Sequence, residues 1–221
     1  MKLVLLLPGY LDSPNYFHFK FFTTRLEKLG YTVERPDFCR LWETGNTKNY
    51  NTTNFLKDIK YTIDSYKDKK PTEIVLIGHS FGGFMAIIAG NKFKEVTKVI
   101  GLCPAVYFAE SNDNWDKTGN RYSTRDFPDD SEKIREFNVP FSFVQDREKY
   151  SVDKALEELN KPLMVMISMK DTTVLPEWIE KALKKSKNPY IIRMENMGHS
   201  FRRSEADTNL VTAEIEKYLK L

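Results

Sequence analysis

Apolar and polar residues are arranged along most of the chain in a pattern that predicts strands followed by helices. Short apolar runs typical of buried strands recur at Leu3–Leu7, Tyr31–Arg35, Ile74–Ile77, Val96–Leu102, Leu163–Ile167 and Tyr190–Met194. Helical stretches lie between or after them, at Asn15–Leu29, Asn54–Tyr66, Phe81–Phe93, Glu177–Lys184 and Asn209–Leu219. Strands that alternate with helices predict a mostly parallel sheet covered on both faces. We therefore expect an α/β fold of three layers, α/β/α, with about six strands.

One of these strand-to-helix junctions carries a serine between glycines. The apolar run at Glu73–Ile77 leads into the sequence GHSFGG, and an apolar helix follows. The chain must turn from strand to helix within about one residue, so the residues two before and two after Ser80 come into close contact, and only glycine fits there. The hydroxyl is then held over the first turn of a helix, where negative charge is favoured. Ser80 is therefore a candidate nucleophile.

An acid and a base follow in the order that such a nucleophile needs. Asp171 comes after the predicted strand Leu163–Ile167, and His199 comes after the predicted strand Tyr190–Met194. The carboxyl ends of parallel strands lie along one edge of a sheet, so residues far apart in the sequence can meet there. The pattern thus predicts that Ser80, Asp171 and His199 come together.

With these motifs the chain resembles the α/β-hydrolase superfamily. The matching segments are the GHSFGG turn, the strand MVMISMKD that ends in Asp171, and the NMGHS loop that contains His199. The resemblance covers nearly the whole chain except the stretch after Pro104. It implies a minimal version of the fold, which starts where the third strand of the family would be, and a Ser-Asp-His catalytic triad.

The resemblance also implies an oxyanion hole made of two backbone N–H groups. The first belongs to Phe81, the residue after the nucleophile, and the second to Tyr10 in the loop after the first strand. The family often has His-Gly in that loop, whereas this chain has Pro8-Gly9. Because the donor is a backbone N–H, Tyr10 can provide it without the histidine.

The stretch from Ala105 to Asn160 breaks the alternation of strands and helices. It has no clear sheet strand and contains the aromatic residues Tyr107, Phe108, Trp115, Tyr122, Phe127, Phe137, Phe141, Phe143 and Tyr150. Such a long segment without a function is uncommon in a compact domain, and the family inserts a cap at this place. We expect a small, mainly helical cap or lid at residues 105–160 within a single domain, 1–221.

The composition of the cap suggests what it would select. Its aromatic residues either face the site or anchor the cap to the core, and an aromatic-lined pocket would favour apolar acyl groups. Its arginines leave open the alternative that the substrate carries an anionic group, although most of them are expected to lie on a solvated outer face. They are Arg121, Arg125, Arg135 and Arg147.

Other histidines and acids are weaker candidates for catalysis. His79 adjoins Ser80 but would point elsewhere from a sharp turn, so we interpret it as a structural hydrogen-bonding residue. His18 lies on the first predicted helix and is expected to be partly buried. The other acids considered belong to the cap segment, namely Glu110, Asp146 and Asp153.

Length and composition limit the remaining possibilities. The chain has 221 residues, 41% of them hydrophobic, and 34 basic against 31 acidic residues, so one domain without a nucleic-acid surface is expected. No run is long enough to span a membrane, and the apolar start before Pro8 is too short for a signal peptide. Cys39 and Cys103 are predicted to be reduced thiols of a cytoplasmic protein, and no metal or cofactor is predicted. The oligomeric state is left open.

The sequence favours a serine hydrolase of small-molecule carboxylic esters, similar to carboxylesterases or lipases. A peptidase or a thioesterase would use the same triad, and a binding protein with this fold but little turnover is a third hypothesis. An intact triad disfavours the binding protein, since a receptor needs none of the three groups. Dehalogenases and epoxide hydrolases are disfavoured because those relatives carry aspartate at the position of Ser80.

Overall fold

The computed structural model describes residues 1–107 and 119–221, whose strands form two sheets. The strands are β1 (Lys2–Leu7), β2 (Tyr31–Glu34), β3 (Glu73–His79), β4 (Lys98–Leu102), β5 (Asn120–Asp126), β6 (Ile134–Pro140), β7 (Leu163–Ser168) and β8 (Tyr190–Met194). The helices are α1 (Phe17–Lys28), α2 (Leu41–Thr44), α3 (Thr52–Ser65), α4 (Phe81–Lys92), α5 (Ser142–Arg147), α6 (Val152–Glu158), α7 (Pro176–Leu183) and α8 (Glu205–Leu219). Short 3-10 turns occur at Phe38–Arg40, Lys67–Lys69 and Phe201–Arg203.

The strands and helices predicted from the hydrophobic pattern are all present, with ends that differ by a few residues. The last helix shows why ends are hard to place. It begins at Glu205 rather than Asn209, because the Ser204 side chain accepts a hydrogen bond from the N–H of Asp207 and caps the helix there.

The larger sheet has six parallel strands in the order β2-β1-β3-β4-β7-β8. Alternate residues of β1 show its two buried faces. Leu3 and Leu5 pack in a cluster with residues of α3, α4, α6 and α7, whereas Val4 and Leu6 pack with residues of α1 and α8. The predicted three-layer α/β/α fold with about six strands is thus confirmed.

The register of the strands aligns their carboxyl ends along one edge. Leu7 of β1 lies opposite Gly78 of β3, and Ser168 of β7 lies opposite Met194 of β8. The loops that follow β7 and β8 are also joined, since the N–H of Lys170 donates to the carbonyl of Met197. The segments that carry the predicted site residues therefore leave the sheet on the same side.

The predicted mainly helical cap is wrong for the part of 105–160 that the structure describes. Strands β5 and β6 form an antiparallel hairpin, paired from Asn120 opposite Pro140 to Asp126 opposite Ile134. The short helix α5 follows the hairpin, and α6 packs against α4 as part of the core. The sequence of β5, NRYSTRD, has no apolar run because the hairpin is a separate, partly exposed ribbon outside the main sheet. A search for buried strands could not detect it.

The aromatic residues of the cap have several roles. Phe137 and Phe143 are buried in the hydrophobic core and anchor the segment, while Tyr122 is exposed. Phe108 and Trp115, like the acid Glu110, lie outside the described residues.

No helix in residues 1–107 and 119–221 is both long and apolar enough to cross a membrane.

Candidate active site

A sharp turn between β3 and α4 presents the Ser80 side chain. Ser80 has φ 54° and ψ −118°, a region that residues other than glycine seldom adopt. Its backbone is held from two sides, because its N–H donates to the carbonyl of Leu102 and its carbonyl accepts from the N–H of Ala105. The turn is thus fixed to the neighbouring strand β4 and the segment that follows it.

Two glycines make this turn possible, as the sequence predicted. A Cβ atom added at Gly78 would lie 2.0 Å from the carbonyl oxygen of Gly82. One added at Gly82 would lie 2.1 Å from the carbonyl oxygen of Leu7. Neither distance is compatible with any larger residue, since both neighbours are backbone atoms.

The structure brings Ser80, His199 and Asp171 into one row of hydrogen bonds. Ser80 Oγ lies 2.9 Å from His199 Nε2, and His199 Nδ1 lies 2.6 Å from Asp171 Oδ2. Asp171 is buried, and its other oxygen, Oδ1, accepts hydrogen bonds of 2.8 Å from the N–H groups of Thr173 and Val174. A carboxylate can only accept, so His199 Nδ1 carries the hydrogen and Nε2 is left to accept from the serine hydroxyl. This arrangement can deprotonate Ser80.

The other two histidines are structural. His79 Nε2–H donates to the carbonyl oxygen of His199 at 3.0 Å, as its predicted hydrogen-bonding role requires. Burial, with the neighbouring His199 and His18, holds the pKa of His79 well below its ordinary value. The expectation that His18 is only partly buried is wrong: its ring is fully buried, close to Phe19 and Phe201. Burial lowers the pKa of His18 to about 3, so both rings are neutral at physiological pH.

The loop after β1 passes directly beside the serine. A Cβ atom added at Gly9 would lie 3.4 Å from Ser80 Cβ, and the N–H of Asp12 donates to the carbonyl of Gly9 to close the turn. Phe81 directly follows the serine at the first position of α4, where the backbone N–H has no partner within the helix. Phe81 thus adjoins Ser80 in the chain, and Gly9, which precedes Tyr10, adjoins it in the fold; the role of Tyr10 and Phe81 as oxyanion donors stays a prediction.

Tyr10 is held in place by its neighbours. Its carbonyl accepts a 2.6 Å hydrogen bond from Arg125 Nη2 of strand β5. Its ring packs against Tyr50 and Phe143, and burial raises the pKa of the phenol to about 12. Leu11, the next residue, has φ 59° and donates its N–H to the Tyr50 hydroxyl at 2.8 Å.

A cavity of about 600 Å³ opens above Ser80 and His199. Tyr107 is the sole cap aromatic among the described residues that line it, and Trp178 of α7 and Tyr10 add two further aromatic side chains. Most of the wall formed by the hairpin is polar, with Arg121, Thr124, Arg125, Asp126 and Ser131. Of the aromatic lining expected of the cap, Tyr107 alone is found among its described residues. Apolar residues nevertheless contribute to the cavity, namely Tyr10, Ala105, Ile134, Val174 and Trp178.

Only some of the arginines of the cap segment reach the cavity. Arg121 and Arg125 line it, whereas Arg135 donates to the carbonyl of Trp42 and lies elsewhere. Arg147 is buried, with Nη2 donating to the carbonyl of Val106 at 3.1 Å, and burial lowers its pKa to about 10.

Sequence reasoning missed several charged residues of the cavity. Asp12 forms an ion pair with Arg125 at 3.3 Å, and Asp126 forms one with Arg202 at 2.9 Å. Arg202 and Arg203 follow the histidine loop directly in NMGHSFRR, so their position next to a predicted base was the available signal. No feature of the sequence marked Asp12, because its partner Arg125 belongs to a hairpin that is distant in the sequence. Within the described residues, no cluster of three or more metal-binding side chains occurs.

The model of the alpha/beta hydrolase family matches residues 4–211, and the chain therefore belongs to this family. No curated protein matches its sequence. The fold is similar to Est1E from Butyrivibrio proteoclasticus, whose structure contains ferulic acid, with a TM-score of 0.77 and 19% identity over 99% of this chain and 88% of that one.

Two further solved structures share the fold. Alpha/beta hydrolase domain-containing protein 10 from mouse has a TM-score of 0.75 and 18% identity, over 99% of this chain and 89% of that one. The esterase Pf2001 from Pyrococcus furiosus has a TM-score of 0.70 and 21% identity, over 99% of this chain and 82% of that one. Identities this low show that the folds are similar and do not identify the substrate of this protein.

Proposed function

We propose that this protein is a serine hydrolase that cleaves carboxylic esters through an acyl-enzyme intermediate. The observation that carries the proposal is the row of hydrogen bonds from Ser80 through His199 to Asp171, set at a strained turn under an open cavity. Buried acid, histidine and hydroxyl in this order are the arrangement that activates a serine.

The two chemical steps follow from the positions of the protons. His199 Nε2 accepts the Ser80 proton as Oγ attacks the ester carbonyl, and Asp171 stabilises the imidazolium that forms. His199 then gives the proton to the leaving alcohol oxygen, and the acyl group remains on Ser80. A water molecule enters, loses its proton to His199 and releases the acid, which regenerates Ser80.

The negative charge on the former carbonyl oxygen needs donors that already point at it. We assign this role to the backbone N–H groups of Phe81 and Tyr10, each of which would stabilise the transition state by about 3 kcal/mol. The dipole of α4, which begins at Phe81, favours negative charge at the same place. The strained backbone of Ser80 is what brings the hydroxyl and these donors to one side of the substrate.

A substrate panel distinguishes ester hydrolysis from the related reactions. We expect para-nitrophenyl butyrate to be hydrolysed faster than a butyryl thioester, and a peptide para-nitroanilide to be hydrolysed slowest, because esterases are among the proteins that share this fold. A higher kcat/KM on the thioester or the anilide would instead make the protein a thioesterase or a peptidase. No turnover on any member would favour a binding protein.

The pH profile should report a single histidine on its acidic side. The pKa values of His18 and His79 are lowered by burial, so these rings stay neutral through the assay range. We expect kcat/KM on a substrate that does not ionise to rise through one protonation step between about pH 5 and pH 8, the interval in which histidine ordinarily titrates. A flat profile across this interval would contradict a histidine base.

The same lowered pKa values affect stability, which the pH experiment must control. Below about pH 6.5 the unfolded chain binds protons at His18 and His79 that the folded chain does not bind, so stability falls as the pH is lowered toward the folded-state values. Circular dichroism at each pH separates this loss of fold from the titration of the base.

Replacing Arg125 with glutamine should lower kcat about tenfold with a smaller change in KM. Arg125 Nη2 holds the carbonyl of Tyr10, and its Nε pairs with Asp12 in the same loop. Loss of these contacts would release the loop that carries an oxyanion donor. Steady-state kinetics on para-nitrophenyl butyrate measures the change.

Arg135→Gln is the matched control for this variant. Arg135 also ties the hairpin to the body of the protein, through the carbonyl of Trp42, but it does not line the cavity. Equal losses of kcat in both variants would show that Arg125 acts only by holding the hairpin in place.

A further inference from the structure

The loop after β1 contains a backbone conformation that leucine seldom adopts. Leu11 has φ 59°, in the left-handed region that favours glycine, and its side chain is fully buried in the same hydrophobic cluster as Phe81 and Phe143. A strained residue persists only where its surroundings hold it, and such residues concentrate at functional sites. Leu11 directly follows Tyr10, whose N–H we assign above to the oxyanion.

Two aromatic side chains hold Leu11 from outside the loop. The Leu11 N–H donates to the Tyr50 hydroxyl at 2.8 Å, and the Leu11 carbonyl accepts from the Trp42 indole N–H at 3.1 Å. The two partners lie 39 and 31 residues further along the chain, between β2 and α3. Trp42 is itself anchored within this segment, since its backbone N–H donates to Asp37 Oδ1 at 2.9 Å. Both backbone polar groups of Leu11 are thus bound by side chains of another segment.

The bond to Trp42 acts on the peptide group that orients the Tyr10 N–H. The Leu11 carbonyl and the Asp12 N–H belong to one rigid peptide group, and this N–H donates to the Gly9 carbonyl at 3.1 Å. The Gly9 carbonyl in turn belongs to the same peptide group as the Tyr10 N–H. The direction of that N–H is therefore set by a peptide plane that the Trp42 indole holds.

Tyr50 acts on the peptide group between Tyr10 and Leu11. The N–H of this group donates to the Tyr50 hydroxyl, and its carbonyl accepts from Arg125 Nη2 at 2.6 Å. The centre of the Tyr50 ring lies 6.0 Å from that of Tyr10 and 6.4 Å from that of Phe81, the two residues assigned to the oxyanion hole. Burial raises the pKa of Tyr50 well above its ordinary value, so its hydroxyl stays neutral.

We propose that Tyr50 and Trp42 are positioning residues of the oxyanion hole: they hold the strained loop so that the Tyr10 N–H points at the negative charge as it develops. This inference rests on the proposed ester hydrolysis and adds two residues to its machinery. Neither side chain is among the residues that line the cavity, so neither is placed to touch a substrate there. Their effect should appear in kcat rather than in KM, because a preorganised donor stabilises the transition state more than the bound ester.

Tyr50→Phe keeps the ring and removes the acceptor of the Leu11 N–H. We expect kcat on para-nitrophenyl butyrate to fall about tenfold and KM to change less than about twofold, since displacing a donor costs less than the roughly 10²- to 10³-fold loss caused by removing one. Tyr31→Phe is the matched control, because the buried Tyr31 hydroxyl donates to Glu73 at 3.0 Å, at the amino ends of β2 and β3. Equal losses of kcat in the two variants, or a native kcat in Tyr50→Phe, would overturn the proposal.

A pair of ketones separates the oxyanion hole from the rest of the site. With hexyl trifluoromethyl ketone, Ser80 Oγ bonds to the carbonyl carbon, the serine proton passes to His199, and the carbonyl oxygen becomes an oxyanion. Hexyl methyl ketone binds without this addition. In Tyr50→Phe we expect the inhibition constant of the trifluoromethyl ketone to rise about tenfold, in parallel with the loss of kcat/KM, and that of the methyl ketone to stay unchanged. Equal shifts for both ketones, or no shift for either, would contradict a role in the oxyanion hole.

Trp42→Phe tests the other bond to Leu11 and decides the question if Tyr50→Phe does not fold. It removes the indole N–H that holds the Leu11 carbonyl, so we again expect kcat to fall about tenfold and only the trifluoromethyl ketone to bind more weakly. Circular dichroism and thermal unfolding check the fold of each variant. A native kcat in Trp42→Phe would overturn the proposal and leave ester hydrolysis intact. Absence of both ester hydrolysis and Ser80 labelling in the native protein would instead contradict the proposed function itself.

Discussion

Ser80→Ala should abolish ester hydrolysis, with a loss of kcat of about 10⁶-fold. The variant lacks the oxygen that forms the acyl-enzyme, while the backbone of the turn keeps its two hydrogen bonds to Leu102 and Ala105. Oxyanion donors and substrate binding alone leave only a small residual acceleration over water.

Covalent labelling identifies the nucleophile directly. After treatment with a fluorophosphonate, peptide mass spectrometry should find the adduct on Ser80 in the native protein and no adduct in Ser80→Ala. Ser200→Ala, which removes another hydroxyl of the cavity, should still be labelled on Ser80. An adduct on any other serine would refute the assignment of the nucleophile.

Asp171→Asn should lower kcat by up to about 10⁴-fold with the fold intact. Oδ1 of Asp171 accepts from the N–H groups of Thr173 and Val174, so an asparagine must place its carbonyl oxygen there. Its NH₂ group then faces His199 Nδ1 and donates to it. His199 would carry its own hydrogen on Nε2, which faces Ser80 and could no longer accept the serine proton.

The matched control is Asp153→Asn. Asp153 accepts a hydrogen bond from the Tyr107 hydroxyl but lies outside the row formed by Ser80 and His199. We expect this variant to keep most of the activity, and circular dichroism to show native structure for both variants. A larger loss of kcat in Asp153→Asn than in Asp171→Asn would place the catalytic acid elsewhere.

Local sequence was sufficient to predict the elements that build the sheet. β7 is buried along its whole length, and a strand buried on both faces must be a continuous apolar run, which is visible without a structure. The glycines at 78 and 82 were equally readable, because the turn leaves no space for a Cβ at either position. Both glycines are explained by the local geometry of the turn, so a few neighbouring residues were enough to predict them.

The hairpin was not predictable by the same reasoning. β5 and β6 are stabilised by each other and by tethers such as Tyr16 to Asp126, which joins residues far apart in the chain. Polar strands of this kind give no apolar run, and their pairing partner is not marked in the sequence.

The sequence by itself determined the α/β fold, the strand-to-helix turn and the candidacy of Ser80, Asp171 and His199, because each is marked by a few adjacent residues. The tertiary structure alone decided that arginines from separate segments line the cavity, that Arg125 meets the carbonyl of Tyr10, and that Arg202 meets Asp126. Those contacts depend on the distance and direction between side chains of separate segments. Such quantities arise only when the chain is folded, since hydrophobic periodicity fixes which residues are buried and not which charges they bring together.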